Sequence, residues 1–300
     1  MMKQKLMVLI AMAVLVLATV SAPLASAAKV IDERLGVPIV VYGANLTEAE
    51  KQTVKKALDV ANDDTVEEIT VAVSDLNRYI TNSNPNAQMF SSAKITLRNQ
   101  GEGLVIDIVT PSNITEITND IYANAMLTAG IEDALVEVAA PKPVTGHSAL
   151  AGIYKAYETR SGETLDTSRT DVANEELNVA TAIADGSNVS DEKVAQLLTE
   201  IKKQIAENAP QSREEVEQIV NNQLSKLEIN LSEQDRQLLI DLMDKIKGLN
   251  IDFDKWSQQL NDLSSKLGDK LTDLTSEDGF WGKVKAFFQG LVDTVSSWFK

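Results

Sequence analysis

Residues 104–140 decide the fold of this chain, and they read LVIDIVTPSNITEITNDIYANAMLTAGIEDALVEVAA. At the two ends of this stretch, residues 104–109 and 135–139 are rich in Val and Ile, which is typical of strands. Between them, residues 115–129 carry apolar side chains at helical spacing, and Gly130 then stops the helix. The stretch therefore predicts a strand, a helix and a second strand.

Similar patterns precede this stretch. Three more strands are predicted at residues 37–42, 69–73 and 93–97, and two more helices at residues 47–58 and 76–80. Gly43, directly after the first strand, is interpreted as a turn residue. Residues 99–103 read NQGEG and predict a hairpin loop between the third and fourth strands. This mixed order of elements indicates one sheet with helices packed largely on one face.

The strand patterns end after Pro143, and the chain that follows is predicted to be helical. A long apolar seam closes this region, with steps of three and four residues between Phe253, Trp256, Leu260, Leu263, Leu267, Leu271 and Leu274. Two interpretations of the seam stay open. It packs against neighbouring helices of the same chain, or it mediates self-association of two chains.

These patterns place the chain in the α+β class, with a mixed α/β sheet domain followed by an all-α region. Four parts are predicted along it. They are a signal peptide at residues 1–27, the α/β domain at 28–160, the helical region at 161–275 and an amphipathic C-terminal helix at 276–300.

The first segment has the features of an export signal. Lys3 and Lys5 precede an apolar run at residues 6–20, and Ala25 and Ala27 supply the small side chains that a signal peptidase recognises. A run of this length is too short to span a bilayer. The chain contains no Cys, so it has neither the lipid attachment point of a bacterial lipoprotein nor a disulfide. We therefore expect a secreted or peripheral protein on the outer face of a bacterial cell membrane.

The charge balance limits the ligands. The chain has 44 acidic and 28 basic residues, a net charge of -16 and one His. Nucleic acid binding needs clustered Lys and Arg, and zinc sites need several His or Cys. We therefore predict no nucleic acid partner, no metal site and no cofactor.

Motifs for catalysis are scarce. His147 and Ser148 are adjacent, and adjacent residues rarely place a base against a nucleophile, so we expect Ser148 to cap a helix. Capping boxes are predicted from Thr47 to Glu50 and from Ser212 to Glu215. No catalytic residue is assigned, and the sequence favours a non-enzymatic envelope protein that binds a ligand or has a structural role. The alternative is a cell-wall hydrolase that uses two carboxylates of the N-terminal domain.

Residues 280–300 combine an aromatic face with a weakly basic one. The apolar side consists of Phe280, Trp281, Val284, Phe287, Phe288, Leu291, Val295, Trp298 and Phe299. Three Lys and one Asp lie among the remaining residues of this segment. Trp and Phe enter the acyl boundary of a membrane while Lys meets anionic headgroups. This helix is therefore predicted to contact a membrane surface or an envelope protein, and packing inside a helical bundle is the alternative.

Three consecutive motifs resemble one protein family. They are YANAMLTAGI at residues 122–131, VEVAAP at 136–141 and VTGHSALAGIYKAYE at 144–158, and they look like the YpuA-like family of exported Gram-positive bacterial proteins. The likeness extends over nearly the whole chain. It implies an extracytoplasmic location and a domain of unknown function, with no activity or catalytic residue to carry over. Members of that family often have Thr at the position of His147, which implies that this imidazole is not catalytic.

Overall fold

The computed structural model describes residues 35–61, 65–81, 83–187 and 189–275. The predicted signal peptide at 1–27 and the predicted aromatic helix at 276–300, with its nine contact residues, lie outside the described residues. Within the described ranges, none of the helices combines the length and the apolarity that crossing a bilayer requires.

The described chain contains one mixed sheet of five strands. The strands are β1 Ile39–Gly43, β2 Glu67–Val71, β3 Ser92–Leu97, β4 Val105–Ile108 and β5 Ala134–Ala139. Their order across the sheet is β2-β1-β3-β5-β4. The β1–β2 and β4–β5 pairs are parallel, whereas β3 is antiparallel to both of its neighbours. The mixed sheet and the α+β class are confirmed.

Nine helices are described along the chain. They are α1 Glu48–Ala57, α2 Val73–Tyr79, α3 Asn119–Ala129, α4 Ser148–Ser161, α5 Thr167–Ser187, α6 Asp191–Asn208, α7 Arg213–Lys226, α8 Glu233–Lys247 and α9 Phe253–Thr275. Up to residue 140 the order of strands and helices is the predicted one. Several boundaries differ. Val73 begins α2 and does not end β2, and α3 begins at Asn119, four residues after the predicted start at residue 115.

The predicted hairpin at residues 99–103 is wrong, because β5 lies between β3 and β4. In the register of the sheet, Val136 of β5 stands between Ile95 of β3 and Ile106 of β4, and all three side chains are buried. The loop after β3 is instead held by Asp133, whose carboxylate accepts from the N–H groups of Gly101 at 3.0 Å and Gly103 at 2.7 Å. Burial of β5 between β3 and β4 overrides the turn signal, since turn residues alone do not determine which strands pair.

Helices cover both faces of the sheet. On one face, Val54 of α1 and Leu58, directly after this helix, pack against Val40 and Tyr42 of β1. On the other face, α4 packs along β1 and β3, and α3 packs against β4. The side chains of a strand alternate between the two faces, so β1 contributes to both layers of the core.

The C-terminal helices extend the core outward from α3. α5 and α6 pack on α3, and α9 lies along α6. In the apolar seam of α9, Trp256, Leu260, Leu263 and Leu267 are buried within the chain. The side chains of Leu271 and Leu274 lie outside the described residues.

A fully buried ion pair joins α5 and α6. Lys202 Nζ lies 2.6 Å from Glu176 Oε1, and both side chains are 0% exposed. Lys202 also donates to the carbonyl oxygen of Asn124 at 3.0 Å, and the Thr128 hydroxyl donates to Glu176 Oε2 at 2.6 Å. The indole ring of Trp256 lies 5.7 Å from the same ammonium group. A buried charge is costly unless it is paired and hydrogen-bonded, so these contacts hold α3, α5, α6 and α9 in one arrangement.

The capping box predicted at the start of α1 is confirmed. The hydroxyl of Thr47 accepts from the N–H of Glu50 at 3.3 Å, and the Glu50 carboxylate accepts from the N–H of Thr47 at 2.9 Å. A hydrogen bond from Lys142, together with those from Thr47, lowers the pKa of Glu50 to about 2. At the start of α7, the Ser212 hydroxyl accepts from the N–H of Glu215 at 3.2 Å, as predicted. The Glu215 carboxylate accepts from the N–H of Gln211 and not from that of Ser212, so only one of the two hydrogen bonds of the second capping box forms.

Replacing Thr47 by Ala removes the side-chain acceptor of this cap. We expect the free energy of unfolding to fall by about 1 kcal/mol, because one N–H of the first turn loses its partner. Urea denaturation of the two proteins at pH 7 measures the difference. Thr53→Ala, in the exposed middle of the same helix, serves as the control, with an expected change below about 0.5 kcal/mol. Equal losses from the two substitutions would contradict the capping role.

Candidate functional site

An open groove of about 670 Å³ lies on the described part of the chain. One wall is the segment at residues 83–89 that follows α2, the other wall is the segment at 144–148 that leads into α4, and α5 closes one side. The groove contains the single imidazole of the chain, and we refer to it as the His147 groove.

The first wall is held in place at both ends. Where it enters β3, Met89 donates its N–H to Asn45 Oδ1 at 2.8 Å and accepts from the N–H of Asn45 at 3.1 Å. Where it leaves α2, the N–H and hydroxyl of Thr81 both donate to the Asp171 carboxylate on α5. The wall is therefore tied to the sheet on one side and to the helical region on the other.

The second wall depends on a glycine. Gly146 has a φ of 107°, a value that side-chain-bearing residues rarely adopt. The Tyr122 hydroxyl, buried in α3, donates to the Gly146 carbonyl oxygen at 2.6 Å, and burial raises the pKa of this phenol. Val144 forms a parallel bridge with Ile114. Tyr122 and Thr128 of the motif at residues 122–131 thus have structural roles, the first at this wall and the second on the carboxylate of the buried ion pair, while the side-chain amide of Asn124 donates to the carbonyl oxygen of Ala195.

His147 lies at the junction of the second wall and α4. Its Nδ1 is 3.9 Å from Glu116 Oε2. Burial lowers the pKa of His147 below its ordinary value, and Glu116 opposes that shift. The imidazole is therefore mostly neutral at pH 7 and offers one hydrogen-bond donor and one acceptor.

Ser148 does not cap α4, contrary to the prediction. The position before the helix belongs to His147, whose backbone is already helical at φ -53° and ψ -35°, and no side chain caps this end. The chain enters α4 through a turn in which Ala149 donates its N–H to the Gly146 carbonyl oxygen at 3.0 Å. The turn set by Gly146 therefore begins the helix without a side-chain cap.

The rest of the lining is rich in neutral polar side chains. Primary amides come from Asn84, Gln88, Asn174 and Asn178, and hydroxyls from Thr81, Ser83, Thr145 and Ser148. Apolar contacts come from Leu76, Ile80, Ala87, Met89 and Val144. Glu116 is the one carboxylate in the described lining, and neither Lys nor Arg belongs to it. In the residues that the structure describes, no cluster of three or more His, Cys, Asp and Glu could hold a metal ion.

A second, smaller depression of about 170 Å³ lies between β4, α3 and α9. Its lining includes the carboxylates Glu102, Asp120 and Asp262 and the ammonium group of Lys266. Hydrogen bonds from Asn99 lower the pKa of Glu102, so this carboxylate stays ionised. A general acid needs the opposite shift.

Sequence reasoning named one region of the groove, at His147 and Ser148, and missed the amides. The predicted contact residues from Phe280 to Phe299 lie outside the described residues. The polar run TNSNPNAQ at residues 81–88 was a signal that could have been used, since it supplies two of the four amides. Asn174 and Asn178 gave no such signal, because polar residues on a helix are usually solvated.

Comparison with known proteins gives one family and one relative. The family described as "Protein of unknown function (DUF1002)" matches residues 42–263, a range that contains the described lining of the His147 groove. The "Uncharacterized protein YpuA" of Bacillus subtilis (strain 168) is 34% identical over 208 residues, which is 68% of this chain and 70% of that protein. No solved structure matches the chain.

Proposed function

The chain belongs to the DUF1002 family, which confirms the YpuA-like resemblance, and from this premise we propose that it is a non-enzymatic binding protein of the bacterial cell envelope. In this proposal the protein is exported, the C-terminal segment at residues 276–300 attaches it to a membrane surface, and the His147 groove holds the ligand.

The chemistry of the groove carries the proposal. A binding site in a soluble domain is typically a concave, largely preformed surface with apolar contacts and a few polar groups that orient the ligand. The His147 groove has this composition, and both of its walls are anchored to neighbouring elements. Hydrolysis of a glycan by the usual route needs two carboxyl groups across the scissile bond. The described lining of the His147 groove supplies Glu116 alone, and in the second depression hydrogen bonds lower the pKa of Glu102, which is the wrong direction for a general acid. We therefore do not put the hydrolase forward as a second candidate.

Export and attachment rest on the sequence. Residues 1–27 have the basic start, apolar run and small-residue cleavage site of a signal peptide. From residue 280 onward, the nine predicted contact residues would bury apolar area in a membrane interface, and Lys283 and Lys285 would meet anionic headgroups. The rest of the chain is acidic and is repelled by such a surface, whereas residues 280–300, with three Lys and one Asp, are attracted to it.

Cell fractionation tests the attachment. The full chain and a version that ends before Gly279 are expressed with the signal peptide in a Gram-positive host. We expect the full chain in the membrane fraction of protoplasts and the truncated chain in the wall and medium fractions.

A third version keeps the length and charge of the tail but replaces Trp281, Phe288 and Trp298 by Ser. It should behave like the truncated chain, because the loss of aromatic area alone weakens membrane binding. Identical distributions of all three versions would remove the membrane proposal. Retention of the full chain in the cytoplasm would remove the export proposal.

An assay on purified peptidoglycan tests the non-enzymatic part. We expect the mature chain to release no soluble fragments above the level of a heat-denatured sample. Release of fragments that is lost in Glu116→Gln would show that the groove is catalytic and would overturn this part of the proposal.

A further inference from the structure

We infer that the His147 groove recognises an extended, uncharged peptide segment through the peptide groups of its main chain. This inference rests on the proposed binding function and specifies the class of ligand.

Unused hydrogen-bonding capacity is the first observation. The side-chain amides of Gln88, Asn174 and Asn178 line the groove, where Gln88 and Asn178 are exposed to solvent and Asn174 is half-buried, and none of the side-chain hydrogen bonds of the described chain involves these amides. By contrast, the amide of Asn124 donates to the carbonyl oxygens of Ala195 and Asp120, and the amide of Asn113 donates to the carbonyl oxygen of Ala140. The groove therefore presents amides that are available to a ligand.

A primary amide matches a peptide group. Each Asn or Gln side chain offers N–H donors beside a carbonyl acceptor, and each peptide unit offers one of each in return. Gln88 stands on the first wall and Asn174 on α5, so an extended segment between them can bond on two sides. The neutral imidazole of His147 adds one donor and one acceptor on the second wall.

The apolar lining fits the side chains of such a segment. Leu76, Ile80 and Met89 contribute apolar surface beside the amides. Side chains of an extended peptide point alternately to opposite sides, so one set can enter this surface while the main chain bonds to the amides. A space of about 670 Å³ is within the range of sites that hold a small ligand, and it accommodates a segment of a few residues.

Other ligand classes match the lining less well. A phosphate or nucleic acid needs Lys or Arg, and neither occurs in the described lining. Glycan sites usually stack a sugar ring on an aromatic face, and no Trp, Tyr or Phe is part of the described lining. An acyl chain would leave the amides without partners, which is costly. Glu116 disfavours an acidic peptide, and with a single carboxylate among many neutral polar groups the lining is matched mainly to an uncharged segment.

Selection from a library of displayed random heptapeptides on the immobilised mature chain tests the inference. Synthetic copies of the recovered peptides are then titrated against the original protein and the double variant Gln88→Ala, Asn174→Ala. We expect the double variant to bind about tenfold more weakly, because two hydrogen bonds to the peptide are lost. The matched control is Gln52→Ala on α1, on the opposite face of the sheet, which should bind like the original protein.

Thermal unfolding shows whether the effect is on binding or on folding. The two amides have no hydrogen-bond partner within the described chain, so the double variant should unfold at the same temperature as the original protein. A shared loss of binding in the double variant and in Gln52→Ala would overturn the inference.

A second arm uses purified glycan strands from which the stem peptides have been removed. Binding of these strands that weakens in the double variant, with no peptide recovered, would overturn the peptide inference and leave the proposed binding function intact. Failure of both probes to show groove-dependent binding would count against the binding function itself.

Discussion

Lys202→Ala should lower the free energy of unfolding by about 3–5 kcal/mol, because it leaves the carboxylate of Glu176 buried without its partner. The Glu176 side chain is 0% exposed, so water cannot replace the ammonium group without opening the core. The hydroxyl of Thr128 would remain as a donor to the carboxylate, which softens the loss but does not neutralise the charge. Urea denaturation at pH 7 measures the difference.

Lys193→Ala is the matched control, since Lys193 is exposed on the same helix and forms no side-chain ion pair in the described chain. Its expected effect is below about 0.5 kcal/mol. The double substitution Lys202→Met, Glu176→Leu should be far less harmful than Lys202→Ala, because it removes both charges and keeps the volume. A loss of under about 1 kcal/mol in Lys202→Ala would show that the pair is not buried as the structure has it.

Gly43→Ala should cost about 3 kcal/mol, because the end of β1 passes directly against the segment that forms the first wall of the groove. A Cβ on Gly43 would lie 2.5 Å from the carbonyl carbon of Met89 and 3.0 Å from the N–H nitrogen of Phe90. These are backbone atoms, so no side-chain rotation can relieve the overlap. Met89 is also bonded to Asn45, which prevents a simple outward shift of the wall. Thermal unfolding followed by circular dichroism measures the effect.

Gly268→Ala in α9 is the control for the glycine substitution. A Cβ there meets nothing within 4 Å, so we expect an unchanged or slightly higher midpoint. Gly43 also contacts the first wall of the His147 groove. Gly43→Ala should therefore weaken the binding of a ligand in this groove even at temperatures at which the variant is folded. Full stability and full binding in Gly43→Ala would contradict the close approach of the two segments.

The interpretation of Gly43 shows where local reasoning fell short. From the sequence it was a turn residue, whereas the structure shows that a glycine is needed because Met89 lies against it from 46 residues further along the chain. The hairpin at residues 99–103 failed for a related reason, since β5 takes the place between β3 and β4. Gly43 does begin a turn, because its carbonyl oxygen accepts from the N–H of Leu46 at 3.2 Å. The contact with Met89 and the place of β5 were missed because they join distant segments, and periodicity carries no information about those.

The motif at residues 122–131 is a different case. Its spacing correctly predicted a helix that ends at Gly130, which has a φ of 99°. The tasks of its polar residues were not predictable, because the partners of Tyr122 and Thr128 lie on other elements, at Gly146 and Glu176. The polar residues of this buried helix therefore serve to hold neighbouring segments by hydrogen bonds.

The sequence by itself determined the class of the chain, the order of its strands and helices up to residue 140, and the cap of α1. These depend on the period of the apolar residues and on hydrogen bonds between residues three apart, which are local properties. Only the tertiary structure decided the order of strands in the sheet, the burial of Lys202 with Glu176 and the meeting of Gln88, His147 and Asn174 in one groove. These features depend on which apolar surfaces are buried against each other, and those surfaces belong to segments that are far apart in the chain.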